Sequence, residues 1–162
     1  MSRHCKKSRC YCRDPIETNL EEYKRTHKAE AIVLGCIDYR FVDTMITYLE
    51  SGDLSEKYDL TAVAGASLGY NQHKHPSWTQ TIKDQIGLAI ELHHINQVLV
   101  FDHMDCGAYA VFYPGLKADS EEERFLHIKN IKKFIHSAQL IFPDLTYSGY
   151  LINTDNSIDQ IV

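Results

Sequence analysis

Apolar runs alternate with apolar stripes of helical period along most of this chain. Residues 31–35 (Ala-Ile-Val-Leu-Gly) and 97–102 (Gln-Val-Leu-Val-Phe-Asp) read as buried strands, residues 60–64 as another, and residues 146–153 as a final strand. Between them lie stripes that read as helices. Phe41, Val42, Met45, Ile46 and Leu49 form one, broken at Ser51 and Gly52. Trp78, Ile82, Ile86, Ala89, Ile90 and His93 form the next. Phe125, Ile128, Ile131, Ile135 and Ala138 form a third, opened by Ser120 with Glu121, Glu122 and Glu123 in its first turn and closed before Pro143. Pro15 can start a short helix to about Lys28, with Ile16, Leu20 and Tyr23 on one face. Thr154 to Asn156 reads as a turn, so that Ile158 and Ile161 complete a small edge hairpin.

Strand and helix in alternation predict an α/β fold, with a mostly parallel central sheet flanked by helices. At 162 residues the chain is one domain, expected over residues 14–162. Residues 1–13 are expected to be a flexible basic tail. They hold Arg3, Lys6, Lys7, Arg9 and Arg13 without an acid, which leaves −10 on the rest of a chain whose net charge is −5. An acidic body argues against nucleic-acid binding. The tail also carries His4, Cys5, Cys10 and Cys12, at spacings that fit no zinc-finger pattern. No apolar run approaches the length of a membrane span, and the first residues do not read as a signal peptide. With five cysteines, a reducing, cytoplasmic setting is expected.

Two short stretches follow the buried strands and carry the candidate chemistry. They are Cys36-Ile37-Asp38-Tyr39-Arg40 and His103-Met104-Asp105-Cys106. Were the two strands parallel, both stretches would leave the sheet at one edge, in the crevice where open α/β sheets bind ligands. There Cys36, His103 and Cys106 form a soft donor set suited to zinc, with a fourth position open to water. Asp38 is either that fourth ligand or a gatekeeper, because Arg40 can grip its carboxylate and hold it away. Buried free cysteines are the alternative reading.

The two motifs, with Gly107 and Ala108 after the second, resemble those of the β-class carbonic anhydrases, Cys-x-Asp-x-Arg and His-x-x-Cys-Gly. The resemblance runs from about Ala29 to Leu151. It implies a β-carbonic-anhydrase-like fold and zinc on Cys36, His103 and Cys106, with Asp38 and Arg40 catalytic. The implied reaction is reversible hydration of carbon dioxide to bicarbonate, in a homodimer or a dimer of dimers. The chain is shorter than typical members and departs from the family at three places: Tyr39 stands where serine is common, residues 41–63 lack the glutamine that commonly binds bicarbonate, and Ala62-Val63-Ala64-Gly65 matches only the Ala-Gly part of a common Arg-Asn-Ala-Gly stretch. Two alternatives therefore remain, hydrolysis of carbonyl sulfide or carbon disulfide on the same fold, and a non-catalytic zinc domain closed by Asp38. His73 and His75 are candidate proton relays, with solvated surface histidines as the plainer reading. Tyr109, Phe112 and Tyr113 could wall a pocket or fill a core, and His93 and His94 could satisfy the end of their helix.

Overall fold

The computed structural model describes residues 14–162, so the expected tail with its cysteines lies outside the described residues. In chain order the elements are α1 (Asp14–Thr26), β1 (Ala31–Gly35), α2 (Val42–Ser51), β2 (Tyr58–Ala62), α3 (Ser67–Asn71), α4 (Pro76–His93) and β3 (Gln97–His103). They continue with α5 (Gly107–Phe112), α6 (Glu121–Gln139), β4 (Thr146–Ile152) and β5 (Ile158–Gln160). The five strands form one sheet in the order β2-β1-β3-β4-β5. The first four are parallel, and β5 closes the edge as the antiparallel half of a hairpin with β4.

Alternation along the strands builds two cores. Ile32 and Leu34 of β1 face Val98 and Val100 of β3 on one side of the sheet, under Ile82, Ile86 and Ala89 of α4 and Ile131, Phe134, Ile135 and Ala138 of α6. Ala31, Val33, Leu99 and Phe101 face the other side, where Phe41, Met45 and Leu49 cover them. Both central strands are buried on two faces, which explains their unbroken apolar runs. From β1 the chain turns outward to β2 through α2; from β3 it turns the opposite way to β4 through α6. The carboxyl ends of β1 and β3 therefore flank the switch point of the sheet.

Three expectations are corrected. The second strand is Tyr58–Ala62, not residues 60–64, and it is an edge strand whose Leu60 is 52% exposed. An apolar run does not reveal that only one flank of the strand is paired. In α6, Phe125 points outward and is 63% exposed, because the buried stripe runs through Glu123, His127, Ile131 and Ile135. His93 does more than end its helix: its Nδ1 meets Asp59 of β2 at 2.7 Å and its Nε2 meets Tyr23 Oη of α1 at 3.0 Å. His94, at φ 55°, supplies the left-handed cap.

Helix α6 lies against β4 at Gly149, where an added Cβ would overlap Ile131 Cγ2 and stand 3.2 Å from Ile135 Cδ1. Gly149→Ala is expected to cost about 1–3 kcal/mol, read as a lower midpoint in urea unfolding.

Candidate metal centre

Strand β1 ends at Gly35 and delivers Cys36; β3 ends at His103, two residues before a left-handed Asp105 (φ 54°) and then Cys106 at the start of α5. Because β1 and β3 are parallel neighbours, these ends meet. The Sγ atoms of Cys36 and Cys106 and a ring nitrogen of His103 lie within 4.8 Å of one another, and this group could hold a metal ion. His103 and Cys106 are buried and Cys36 half-buried.

The proton arrangement fits a cation. His103 Nδ1 donates to the Met104 carbonyl at 2.9 Å, and the ring stacks on Phe41, with centroids 4.4 Å apart. That fixes the tautomer and leaves Nε2, fully buried and without a hydrogen-bond partner, as a free lone pair. Cys36 accepts from the Gly65 N–H at 3.3 Å. Its thiol is pushed down to about 4, chiefly by the hydrogen bond from Cys106 and also by His103, against the opposing effect of burial. Cys106 is pushed up, by its hydrogen bond with Cys36 and then by burial. Two sulfurs thus lie beside an orphaned nitrogen. A dication among them would satisfy all three donors, whose soft character suits zinc.

Beside these donors the Arg40 guanidinium sits between two acids. Its Nε and Nη2 donate to Asp38 Oδ1 and Oδ2 at 3.0 and 2.7 Å, and its main-chain N–H donates to Oδ1 at 3.1 Å. These bonds from Arg40 hold the Asp38 carboxyl down at about 2. Asp38 Oδ2 is 3.9 Å from His103 Nε2, so its carboxylate stands next to the donor cluster while committed to arginine. On its other edge Arg40 donates through Nη1 to Asp105 Oδ2 at 2.6 Å and through Nη2 to the Asp105 carbonyl at 2.8 Å.

A buried polar network underlies the motif, and sequence reasoning missed it. Asp102 accepts from Ser67 N–H and Oγ, from Tyr109 Oη and from His127 Nδ1, at 2.7–3.0 Å. Glu123 accepts the main-chain N–H groups of Asp105, Cys106 and Asp119 at 3.1, 2.9 and 2.7 Å. Burial pushes the Glu123 carboxyl up, but His127 and these N–H groups outweigh it and hold it at about 2. The glutamate run, expected to be structural as the first turn of its helix, therefore includes one residue that braces the loop between His103 and Cys106. Two signals were available: an aspartate closing an apolar strand, and Glu123 and His127 at i and i+4 in line with Ile131.

An open cavity of about 540 Å³ reaches this site. Cys36, Asp38 and Cys106 lie in its lining, with His75, Trp78 and Phe112 as walls. His75 stacks on Trp78, with centroids 4.3 Å apart, whereas His73 lines a separate cavity with Lys83 and Lys133. Of the three aromatics, Phe112 is a wall, Tyr109 is fully buried on Asp102, and Tyr113 packs near Tyr109.

A family model described as "Putative carbonic anhydrase" matches residues 26–162. An uncharacterised protein of Rickettsia conorii is 29% identical over 147 residues, covering 90% of this chain and 79% of that protein. One of Rickettsia bellii is 29% identical and covered to 90%, again over 90% of this chain. Among solved structures, the β-carbonic anhydrase CafA of Aspergillus fumigatus superimposes with a TM-score of 0.59 at 14% identity, over 93% of this chain and 83% of CafA. The crystal structures of two tetrameric β-carbonic anhydrases from Sordaria macrospora include a chain with a TM-score of 0.54 at 11% identity, over 93% of this chain and 89% of that one. At such identities the likeness is one of fold.

Glu123→Gln replaces an acceptor of three N–H groups, and a loss of about 1–3 kcal/mol is expected at neutral pH. The wild-type carboxyl lies below its ordinary value, so the stability it adds is complete above 4.5 and is lost as the pH falls toward about 2. Urea unfolding over that range should show a shallower acid slope for the variant.

Proposed function

We propose that this chain, which belongs to the carbonic anhydrase family and has the β-class fold, hydrates carbon dioxide reversibly to bicarbonate with zinc on Cys36, His103 and Cys106. The observation that carries this reading is the buried, unpartnered His103 Nε2, on a ring grouped within 4.8 Å of the sulfurs of Cys36 and Cys106. Bound there, zinc supplies a Lewis acid that makes hydroxide available near neutral pH.

The chain's own residues do the orienting. Asp38, kept ionised by Arg40 to about pH 2, is an acceptor that never competes for the proton at working pH. It holds the hydrogen of the attacking oxygen at its carboxylate, so that the lone pair faces the carbon of the substrate. Trp78, Phe112 and Val111 make the cavity wall apolar, which admits an uncharged linear molecule without a desolvation cost. Carbonyl sulfide and carbon disulfide share that shape and polarity, so the same wall supports hydrolysis of these as the second reading. A closed, non-catalytic site is disfavoured by the commitment of Asp38 to both Arg40 nitrogens and its main-chain N–H. The free thiols of Cys36 and Cys106 suit a reducing, cytoplasmic compartment. Among the described residues no helix is long and apolar enough to cross a membrane. Ile37, Tyr39 and Val111 expose 65%, 84% and 72% of their surface at the cavity rim, which supports assembly as a homodimer or dimer of dimers. Light scattering checks that assembly.

Stopped-flow hydration by zinc-loaded protein is expected to rise with pH, because two thiolates weaken the Lewis acid. Cys106→Ser should lose both zinc and hydration. Arg40→Leu should keep zinc and lose about a hundredfold in kcat. One zinc per chain without hydration at any pH would sink the carbonic anhydrase reading, and carbonyl sulfide turnover by the same sample would establish the second.

A further inference from the structure

Arg40 uses both edges of its guanidinium. The edge formed by Nε and Nη2 grips Asp38, its neighbour in the loop after β1. The edge formed by Nη1 and Nη2 grips Asp105, in the loop after β3, through one side-chain oxygen and the main-chain carbonyl. An arginine two residues from its carboxylate partner can swivel on its flexible stem, and a single fork does not fix where the pair points. A second fork to another segment does.

Asp105 is itself held. Its backbone is left-handed, at φ 54°, a conformation that aspartate tolerates better than most residues. That conformation turns the successive N–H groups of Asp105 and Cys106 onto one carboxylate, Glu123, which accepts at Oε2 and Oε1. Glu123, buried on the inner face of α6, thus sets Asp105, Asp105 sets Arg40, and Arg40 sets Asp38.

We infer that Asp105 is a positioning residue, which pins Arg40 from the β3 loop and thereby orients Asp38 beside the donor cluster. The inference rests on the metal-site reading of Cys36, His103 and Cys106. It predicts that the Asp105 side chain acts on turnover rather than on folding, since that side chain is 43% exposed and the pair contributes little to stability.

Asp105→Gly isolates the side chain, because glycine adopts the left-handed backbone without strain and keeps the N–H groups that Glu123 accepts. Asp105→Asn keeps an oxygen for Nη1. The first readout needs no metal: the Arg40 Nε–Hε signal in ¹⁵N-labelled, metal-free protein, assigned by its loss in Arg40→Lys. In Asp105→Gly that signal is expected to shift and to exchange with solvent about tenfold faster, and Asp105→Asn should restore most of the wild-type behaviour. In zinc-loaded enzyme, Asp105→Gly should lower kcat about tenfold with KM and the urea midpoint unchanged. A wild-type Arg40 signal in Asp105→Gly overturns the inference, and so does a shifted signal with wild-type kcat. If wild-type protein neither binds zinc nor turns over carbon dioxide, the proposed function fails, while the Arg40 signal still decides whether Asp105 pins the arginine.

Discussion

Ala31 through Leu34 pair in parallel with Gln97 through Val100 at the centre of the sheet, and everything at the site follows from that pairing. Parallel neighbours end on the same side, so Cys36 and the His103–Cys106 stretch leave the sheet together although about seventy residues separate them in sequence. The crossovers then diverge, to β2 on one side and β4 on the other, and open a crevice where the donors meet. Both strands are buried on two faces, so their register resists slipping. Rigid strand ends hold the donors more precisely than free loops would.

Beneath the crevice the protein buries charge that a simple apolar core would exclude. Asp102 and Glu123 are each about 1% exposed, as is His127. Such burial is tolerable because each carboxylate meets several donors: Asp102 those of Ser67, Tyr109 and His127, Glu123 three backbone N–H groups. The network satisfies both carboxylates but leaves His127 Nε2 without a hydrogen-bond partner, 3.6 Å from Glu123 Oε1. Its effect is to hold a left-handed turn at Asp105, which brings Cys106 back toward Cys36 within so short a motif.

A cavity of about 540 Å³ opens onto this crevice. Its inner end carries the sulfurs and the Asp38 carboxylate, while its walls are largely apolar and its rim exposes Ile37, Tyr39 and Val111. Asp38 and Arg40 form a charged pole in its lining, and Asp105 pairs with the other edge of the Arg40 guanidinium. The cavity therefore presents one polar pole in an otherwise apolar space.

Local pattern was enough for much of this protein. The two central strands, the helix after β1, the Ser120 cap and the two short stretches that hold Cys36, His103 and Cys106 were legible because each depends on residues adjacent in sequence or one helical turn apart. Tertiary structure decided what depends on neighbours from elsewhere. It put β2 at an edge, so Leu60 is exposed, and turned Phe125 outward because Glu123 and His127 have partners on β3 and its following loop. It separated His75, in the cavity wall, from His73, in another cavity, though one residue lies between them. Asp38 was ambiguous in sequence because its surroundings depend on where Arg40 points, and Arg40 also bonds Asp105, sixty-five residues away. Periodicity reports which face of an element is apolar; it carries no information about which distant polar group the opposite end of a hydrogen bond will find.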